Sequence, residues 1–414
     1  MSAQIDLKLK NIGLLATPYG GRAKGGRDQG AISFVPDAEV GISGGRFFYA
    51  GPRGGCPGAA REIDCGGRLL TPGLVDAHTH LVFGGWRHGE MARRLSGDSY
   101  LDILKSGGGI IETVRRTREA GEEELFEKGL ALLAEMLSQG TTTAECKSGY
   151  GLSLSAEMKQ LRVMERLARE GPLDLALTFM GAHALPLEYA GDRAGYVSLV
   201  CDEMIPAVAE AGLARFCDVF CETGAFSLEE SARVLRAGRE HGLLCKAHVD
   251  EIDAMGGAEM AAEAGCVSAE HLVRASDEGI RALASSDAVA CLLPTTSFCL
   301  DKDYARARDM IAAGLPVAIC TDFNPGSSPC LNLQFPMYLA CLKYRMTPAE
   351  ALTAVTLNGA AALGLCAETG SVEAGKRADA VLWEARDLDY IFYRFGGSLA
   401  RATIKNGEVV AGNI

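Results

Sequence analysis

Two histidines that stand two residues apart, His78 and His80, are the residues of this sequence best suited to chemistry. They close the stretch Pro72-Gly73-Leu74-Val75-Asp76-Ala77-His78-Thr79-His80, whose apolar part indicates a buried strand. Side chains two residues apart on a strand point to one face, so both imidazoles can reach the same point. Because neutral imidazole is a common metal ligand, the pair predicts a metal site. Taken alone, the pair is equally compatible with two hydrogen-bonded core histidines or a solvated loop.

Most of the other histidines also stand where a predicted strand ends. Five of the seven histidines do so, and an aspartate joins them; beyond the first pair these residues are His183, His248, His271 and Asp322. A catalytic metal site needs about three protein ligands and an open position for water. We therefore predict that one ion is held by three imidazoles and one carboxylate, those of His78, His80, His248 and Asp322.

The remaining groups of this set are candidates for proton transfer. A bound ion lowers the pKa of its water towards ~7, which creates a nucleophile at neutral pH. Asp322 can take a proton from that water and deliver it to a leaving nitrogen. Glu251 is a second carboxylate near the end of the His248 strand, although a solvated loop acid is the alternative. His271 is either a catalytic or a structural histidine.

Alternating strand and helix patterns must position these residues. Between residues 71 and 365, strand-like segments end at the polar residues, and amphipathic segments fill the gaps; the predicted strands after the first are 173–179, 216–220, 243–249, 288–293 and 317–320, and the predicted helices are 122–139, 156–169, 228–241, 254–264, 304–313 and 348–362. This α/β repetition predicts a (β/α)8 TIM-like barrel, whose catalytic residues collect at the C-terminal strand ends. An open doubly wound sheet is disfavoured because no G-x-G-x-x-G motif opens a helix.

Both chain ends are predicted to be β-rich. Residues 7–15, 38–51, 378–383 and 402–410 read as strands, the last broken by the turn signal Asn406-Gly407. We predict a small β-sandwich domain built from residues 1–70 plus 366–414, and a metal-dependent catalytic barrel over residues 71–365.

Composition limits the compartment and the partners. The 414 residues carry a formal charge of −12 and no long basic run, so nucleic acid is not an expected partner. The 14 cysteines form no Cys-x-x-Cys pair, the N-terminus has no signal-peptide pattern, and no apolar stretch is long enough to span a membrane. We therefore expect a cytoplasmic protein with reduced thiols and no membrane partner.

Several longer motifs resemble a known family. The His-x-His after Pro-Gly, the later His, His and Asp, and the β-rich ends resemble the amidohydrolase superfamily. Within it, five segments are similar to the imidazolonepropionase family of histidine degradation; they are Leu81-Val82-Phe83-Gly84-Gly85-Trp86-Arg87, Gly107-Gly108-Gly109-Ile110, Lys147-Ser148-Gly149-Tyr150-Gly151-Leu152, Thr178-Phe179-Met180-Gly181-Ala182-His183-Ala184 and Thr321-Asp322-Phe323-Asn324-Pro325-Gly326-Ser327-Ser328-Pro329. The similarity covers nearly the whole chain.

The resemblance implies a reaction, a cofactor and a substrate pocket. It implies hydrolytic ring opening of 4-imidazolone-5-propanoate to N-formimidoyl-L-glutamate, with one Zn(II) or Fe(III) per subunit and a homodimer. Arg87 resembles the family's carboxylate-binding arginine, and its planar fork suits a propionate. The other implied substrate contacts are Tyr150, His183, Glu251, Asn324, Gly326 and Ser327. Asp322, His271 and Glu251 are the expected catalytic groups, and Trp86 stands where a small polar residue is expected.

Two other interpretations remain open at this stage. Another cyclic amide hydrolase or an aromatic deaminase of the same superfamily would use the same metal ligands, and His248-Val249-Asp250-Glu251 has the deaminase spacing. Arg87 and the Lys147-Ser148-Gly149-Tyr150 segment argue against a nucleobase, which needs no carboxylate pocket. A non-catalytic relative would be expected to lack one or more ligands, and this chain has all of them.

Overall fold

The computed structural model describes residues 5–97 and 107–414 and contains two separate sheets. In chain order the strands are β1 (Ile5–Thr17), β2 (Ser33–Ser43), β3 (Arg46–Pro52), β4 (Ala59–Pro72), β5 (Leu74–Asp76), β6 (Thr141–Lys147), β7 (Asp174–Ala182), β8 (Phe216–Cys221), β9 (Leu244–Val249), β10 (Ser268–His271), β11 (Val289–Leu292), β12 (Val317–Ile319), β13 (Ala380–Trp383), β14 (Ala400–Lys405) and β15 (Glu408–Gly412).

Helices follow most of the strands of the second sheet. The described α-helices are Gly89–Leu95, Ile110–Glu119, Glu122–Ser138, Leu154–Glu170, Arg193–Leu199, Ile205–Glu210, Leu228–Glu240, Gly257–Glu263, Asp277–Ala284, Pro294–Leu300, Ala307–Ala312, Gln334–Tyr344, Pro348–Ala354, Leu357–Ala362 and Leu388–Tyr393. Short 3-10 segments occur at Gly26–Gly30 and Leu187–Tyr189, and a π-helical turn at Val200–Met204. Among these described helices, none is both long and apolar enough to cross a membrane.

The eight strands β5 to β12 form the predicted barrel. Each is paired with its sequence neighbour, and every pairing is parallel. The ring closes just beyond β5 and β12, where Thr79 bridges Phe323 and the His80 N–H donates to the Phe323 carbonyl at 2.8 Å. Closure brings the polypeptide after the first strand beside that after the last. The (β/α)8 barrel prediction is thus confirmed.

Two barrel strands were absent from the sequence-based assignment. Strand β6 reads Thr141-Thr142-Thr143-Ala144-Glu145-Cys146-Lys147, yet every residue in it is buried. Strand β10 is only four residues long and carries Glu270 and His271. Both lack the apolar run that marks a buried strand: β6 buries three threonines, a glutamate and a lysine, and β10 buries a serine, a glutamate and a histidine.

The segment 348–362, predicted as one helix, is two helices. The first begins with a capping box in which Thr347 and Glu350 exchange hydrogen bonds, and it ends at Ala354. Thr356 has φ −133° and ψ −89°, outside the helical region, and its hydroxyl donates to the Leu352 carbonyl at 2.5 Å. Such side-chain bonding to the backbone competes with the helix, which explains the break.

Strands from both chain ends form one seven-stranded sheet in the order β15-β14-β13-β4-β1-β2-β3. The long strand β4 pairs parallel with β1 and antiparallel with β13, and so joins the N-terminal to the C-terminal strands. The predicted turn at Asn406-Gly407 is present, with φ of 50° and 84°, the conformation for which Asn-Gly is favoured. The division of the chain into domains at residues 70/71 and 365/366 stays a prediction.

Candidate metal centre and substrate site

A cluster of imidazoles lies at the C-terminal end of the barrel strands. It contains His78 and His80 after β5, His248 in β9, His271 at the end of β10 and Asp322 after β12, all at most 5% exposed. The ring centroids of His78 and His248 are 4.5 Å apart, and those of His80 and His248 are 5.5 Å apart. The C-terminal ends of the barrel strands therefore bring together residues that are up to 244 positions apart in the sequence.

The spacing of the ligand atoms suits a metal ion. Nε2 of His78 lies 3.4 Å and Nε2 of His80 lies 3.7 Å from Oδ1 of Asp322, while Nε2 of His80 lies 3.4 Å from Nε2 of His248. Ligands at the usual zinc–nitrogen distance in a tetrahedron are separated by about 3.4 Å. His271 also has a ligand atom within 4.8 Å of those of His78 and His248, so it is a further donor at the site.

The unsatisfied nitrogen atoms of the cluster support the same interpretation. Nε2 of His78 and Nδ1 of His80 are buried and make no hydrogen bond within the described part of the chain. A buried polar atom without a partner costs roughly 1–3 kcal/mol, and a coordinated cation would remove that cost at Nε2 of His78. The donor set therefore fits a metal ion.

Two carboxylates that the sequence reasoning missed orient these imidazoles. Oε2 of Glu270 lies 2.6 Å from Nδ1 of His78, and Oδ1 of Asp218 lies 3.0 Å from Nδ1 of His248. When Nδ1–H donates to a carboxylate, Nε2 is left as the lone-pair nitrogen that a metal requires. For Asp218 the available signal was a charged residue within the otherwise apolar strand β8, whereas β10 around Glu270 has no apolar run to mark it; both side chains are completely buried.

The backbone at two site residues adopts an unfavourable conformation. His271 has φ +68° and Asp322 has φ +54°, in the left-handed region that non-glycine residues avoid. Such positions are found preferentially at functional sites, where the surrounding structure enforces them. In this chain the enforced turn at Asp322 aims its carboxylate back at the imidazoles.

Two acids of the site, Glu251 and Asp322, have raised pKa values. Burial, followed by the charge of Asp322, raises the pKa of Glu251 to about 8. Burial raises the pKa of Asp322 to about 6, against the effect of a 2.5 Å hydrogen bond from the Thr296 hydroxyl. The Glu251 side chain is only 18% exposed, so the alternative of a solvated loop acid is wrong.

His271 lies beside Glu251, with Nε2 3.6 Å from Oε2 of the carboxylate. Burial, and then the neighbouring His248, hold the pKa of His271 well below its usual range. The ring is therefore neutral at neutral pH, which disfavours a role as a permanent imidazolium. A neutral ring can still donate one N–H to a substrate or to Glu251.

Loops that carry further site residues are fixed by buried carboxylates. The carboxylate of Glu222 accepts the backbone N–H groups of residues 251, 252 and 253 at 2.8–3.2 Å, and so holds the loop of Glu251. The carboxylate of Glu157 likewise accepts from Gly149, Gly151 and Leu152 at 2.8–3.1 Å. These bonds confer rigidity on both loops at the site.

Tyr150 and His183 line the side of the cluster next to His80. The His183 ring stacks on His80 at 5.0 Å, and its Nδ1 lies 3.1 Å from the Gly149 carbonyl. This bond requires a proton on Nδ1, so Nε2 is the acceptor of a neutral ring. The Tyr150 ring lies 5.4 Å from that of His183. The two side chains together form one wall of the site.

Arg87 is held by an acid that the sequence reasoning did not identify. Its Nε and Nη2 donate to the two carboxylate oxygens of Glu90 at 3.0 and 2.8 Å, and Glu90 also accepts from Gly109 N–H. The opposite edge of the guanidinium faces the loop after β12, where a Cβ atom on Gly326 would lie only 2.2 Å from Nη1. A side chain at position 326 would therefore have to displace the guanidinium from this position.

Asn324 closes the loop after β12. Its amide nitrogen donates to the Asp322 carbonyl and to the Ser327 hydroxyl, and its oxygen accepts the N–H groups of Gly326 and Ser327 at 2.9 and 2.8 Å. The side chain thus shapes the loop that carries Gly326 and Ser327 beside Arg87.

Trp86 is 40% exposed and packs edge-on against Phe83.

Comparison with known proteins identifies the class first. A sequence profile of the Amidohydrolase family matches residues 197–410. The fold is also that of a zinc-bound adenosine deaminase from Xanthomonas campestris (TM-score 0.71, 19% identity, 99% of this chain and 93% of that one) and of a 5-methylcytosine deaminase from Klebsiella pneumoniae (TM-score 0.74, 18% identity, 98% of each). The chain belongs to the amidohydrolase family.

Closer relatives narrow the assignment within that class. The chain is 51% identical over 413 residues to an imidazolonepropionase of Bacillus velezensis, covering 99% of this chain and 98% of the relative. It is 48% identical over 418 residues to an imidazolonepropionase of Alkaliphilus metalliredigens, covering 98% of each. Within the amidohydrolases, it is a member of the imidazolonepropionase family.

Proposed function

We propose that the protein opens the ring of 4-imidazolone-5-propanoate by hydrolysis, yielding N-formimidoyl-L-glutamate in histidine degradation. The observation that carries this proposal is the combination of a histidine and carboxylate cluster with an arginine on the same barrel face. The cluster suits hydrolysis of a ring amide, and the arginine suits a substrate that carries a carboxylate. Membership of the imidazolonepropionase family indicates the reaction. The site contains candidate groups for metal binding, for proton transfer and for binding of the substrate carboxylate.

The proposed ion is held by three imidazoles and one carboxylate, those of His78, His80, His248 and Asp322. When bound, the ion would supply an acidified water and polarise the ring amide. Zn(II) and Fe(III) both suit this donor set, and elemental analysis of the purified protein would distinguish them. The ring of His271 lies beside those of His78 and His248, and we propose that it donates a hydrogen bond to the substrate.

The acids divide the proton transfers between them. Asp322, with a pKa of about 6, accepts the proton of the attacking water and returns it to the ring nitrogen as the C–N bond breaks. Glu251, with a pKa of about 8, carries a proton at neutral pH and donates a hydrogen bond to the ring. This division uses the separation of the two pKa values.

The propionate is proposed to bind between Arg87 and the loop after β12. Glu90 holds the Nε and Nη2 side of the guanidinium, which leaves the Nη1 edge directed at the loop of Gly326 and Ser327. Arginine can pair with a carboxylate on each edge of its fork. Tyr150 and His183 then border the imidazolone ring of the substrate, on the side of His80.

The test is hydrolysis of freshly prepared imidazolone propionate by the metal-replete protein, followed by loss of ultraviolet absorbance. We expect rapid turnover of this compound and none of cytosine or guanine. Turnover of the nucleobases without turnover of imidazolone propionate would replace the proposal with a deaminase. Turnover of other cyclic ureides alone would retain the metal site and discard the substrate.

The proposal extends to the assembly and the compartment of the protein. We propose a homodimer, as the resemblance implies, and sedimentation of the purified protein would test it. All fourteen cysteines are free thiols, and ten of them are buried. Unpaired thiols in this number suit a reducing compartment, so we propose that the protein acts in the cytoplasm.

A further inference from the structure

Five charged side chains fill the barrel interior beneath the imidazoles. All five have a relative exposure of 0%; they are Glu145, Lys147, Asp218, Lys246 and Glu270. Asp218 and Glu270 orient imidazoles, and the function proposed above leaves the other three without a role. Charged residues are almost never fully buried unless they are paired, because each loses its hydration. Five in one place therefore need an explanation.

The five groups form one continuous chain of ion pairs. Nζ of Lys147 lies 2.6 Å from Asp218 and 2.9 Å from Glu145, and Nζ of Lys246 lies 2.8 Å from Glu145 and 3.5 Å from Glu270. Glu145 stands at the middle, with both lysines on its Oε2 and the Thr178 hydroxyl on its Oε1. The two ends, Asp218 and Glu270, are the acids that accept from the imidazoles.

The lysines carry their charge in this setting. Burial alone would lower the pKa of Lys147, but the carboxylates of Asp218 and Glu145 raise it well above its usual range. Nζ of Lys246 lies between the carboxylates of Glu145 and Glu270, so its charge is balanced in the same way. Three carboxylates thus share two cations, and the surplus negative charge lies directly beneath the imidazoles, where it favours a bound cation.

We propose that Glu145, Lys147 and Lys246 are positioning residues for the metal centre: by bridging Asp218 and Glu270 they fix the Nδ1–H hydrogen bonds of His248 and His78 and keep both Nε2 atoms directed at the ion. This inference rests on the metal site proposed above. Glu145 touches neither imidazole, so any effect of its removal on the geometry of the ligands must pass through the lysines, whereas its charge also acts on the ion through space.

The test is the affinity of Glu145→Gln for Zn(II), measured in competition with a chromophoric chelator. The change keeps the shape of the side chain and removes its charge. Loss of outer partners of metal ligands costs 10- to 100-fold in affinity, and for this indirect member we expect about tenfold. The visible spectrum of the Co(II)-substituted protein should also change, since it reports the geometry of the ligands rather than activity.

The matched control is Asp379→Asn, which neutralises an equally buried carboxylate paired with Lys405 in the seven-stranded sheet. It should lower stability and leave Zn(II) affinity and the Co(II) spectrum unchanged. If Glu145→Gln does not fold, Thr178→Val removes only the hydroxyl bond to Glu145 and should weaken Zn(II) binding in the same direction by a smaller factor.

The outcomes separate this inference from the proposed function. Wild-type affinity and an unchanged Co(II) spectrum in a folded Glu145→Gln protein would overturn the positioning role. A wild-type protein that binds no Zn(II) or Co(II) would overturn the metal site and this inference together. A wild-type protein that binds metal but does not hydrolyse imidazolone propionate would refute only the substrate, and the affinity comparison would still decide the positioning role.

Discussion

Two buried ion-pair clusters of this molecule have different consequences. Beneath the imidazoles, the series of ion pairs from Asp218 to Glu270 ends on two histidines of the imidazole cluster. At the contact between the seven-stranded sheet and the start of β7, Lys405 pairs with Asp174 at 2.6 Å and with Asp379 at 3.2 Å. The second cluster ends on a backbone group, the N–H of Asn406.

The comparison shows that burial of charge alone does not mark an active site. The Lys405 cluster joins the sheet to the N-terminal end of a barrel strand, where polar groups serve stability. The first cluster lies under the C-terminal end and terminates on side chains that can bind a ligand. What the last member of each cluster contacts, rather than how deeply it is buried, separates the two.

The largest expected effect is that of His78→Ala, which removes a proposed metal ligand at the end of the first cluster. We expect metal content to fall and kcat/KM to drop by about a thousandfold or more, since metal activation of water is lost. His241→Ala, at the exposed C-terminus of the Leu228–Glu240 helix, is the matched control and should retain both properties. Full activity in the metal-free His78 variant would remove the basis of the comparison.

Arg87→Ala should act on substrate binding alone. KM should rise by about 10- to 100-fold, because hydrogen bonds to a charged group contribute roughly 1.5–3 kcal/mol. Steady-state kinetics and metal analysis of the same preparation provide the measurement, with the exposed Arg115→Ala as control. Loss of metal together with activity would show that Arg87 is structural and that its assignment to the propionate is wrong.

Asp379→Asn tests the Lys405 cluster by removing one of its charges. Breaking a buried ion pair by neutralising one partner costs about 3 kcal/mol, and denaturant unfolding should show a loss of this order. The kcat/KM of the folded variant should match the wild type, because the Lys405 cluster contacts no site residue. A change in metal affinity in this variant would mean that the two clusters are not independent.

The smallest expected effect concerns pH. Because the pKa of Glu251 is raised to about 8, its carboxyl is protonated below that pH and ionises above it. If the proton is needed, kcat/KM should fall about tenfold per pH unit above that value. Glu251→Gln keeps a donor that cannot ionise, so its profile should be flat there; an unchanged alkaline limb in this variant would assign the titration to another group.

The candidate ligands were predictable because strand ends carry a local signal. His78, His248 and Asp322 each close an apolar segment, and parallel strands in a barrel bring their C-terminal ends together. Arg87, Tyr150 and the loop of Asn324 came from resemblance, since nothing in their spacing predicts a carboxylate pocket. Their roles as substrate contacts stay predictions.

The partners of these residues were not predictable. Whether Glu270 reaches His78, 192 residues away, depends on the register of β10 against β9 and on closure of the barrel. The same holds for Glu90, which contacts Arg87 only because a helix begins at Gly89. Strand β6 was also missed in the sequence, because the burial of its charged residues is favourable only once oppositely charged partners are in place.

The sequence by itself determined the repeated strand and helix pattern, the class of fold and the ligand types, because these follow from the local order of apolar and polar residues. Tertiary structure decided which acid meets which imidazole, which lysines balance those acids, and which edge of Arg87 faces the loop of Gly326. Those choices depend on distances across the barrel, and charge pairing inside a low-dielectric interior is strong only when those distances are short.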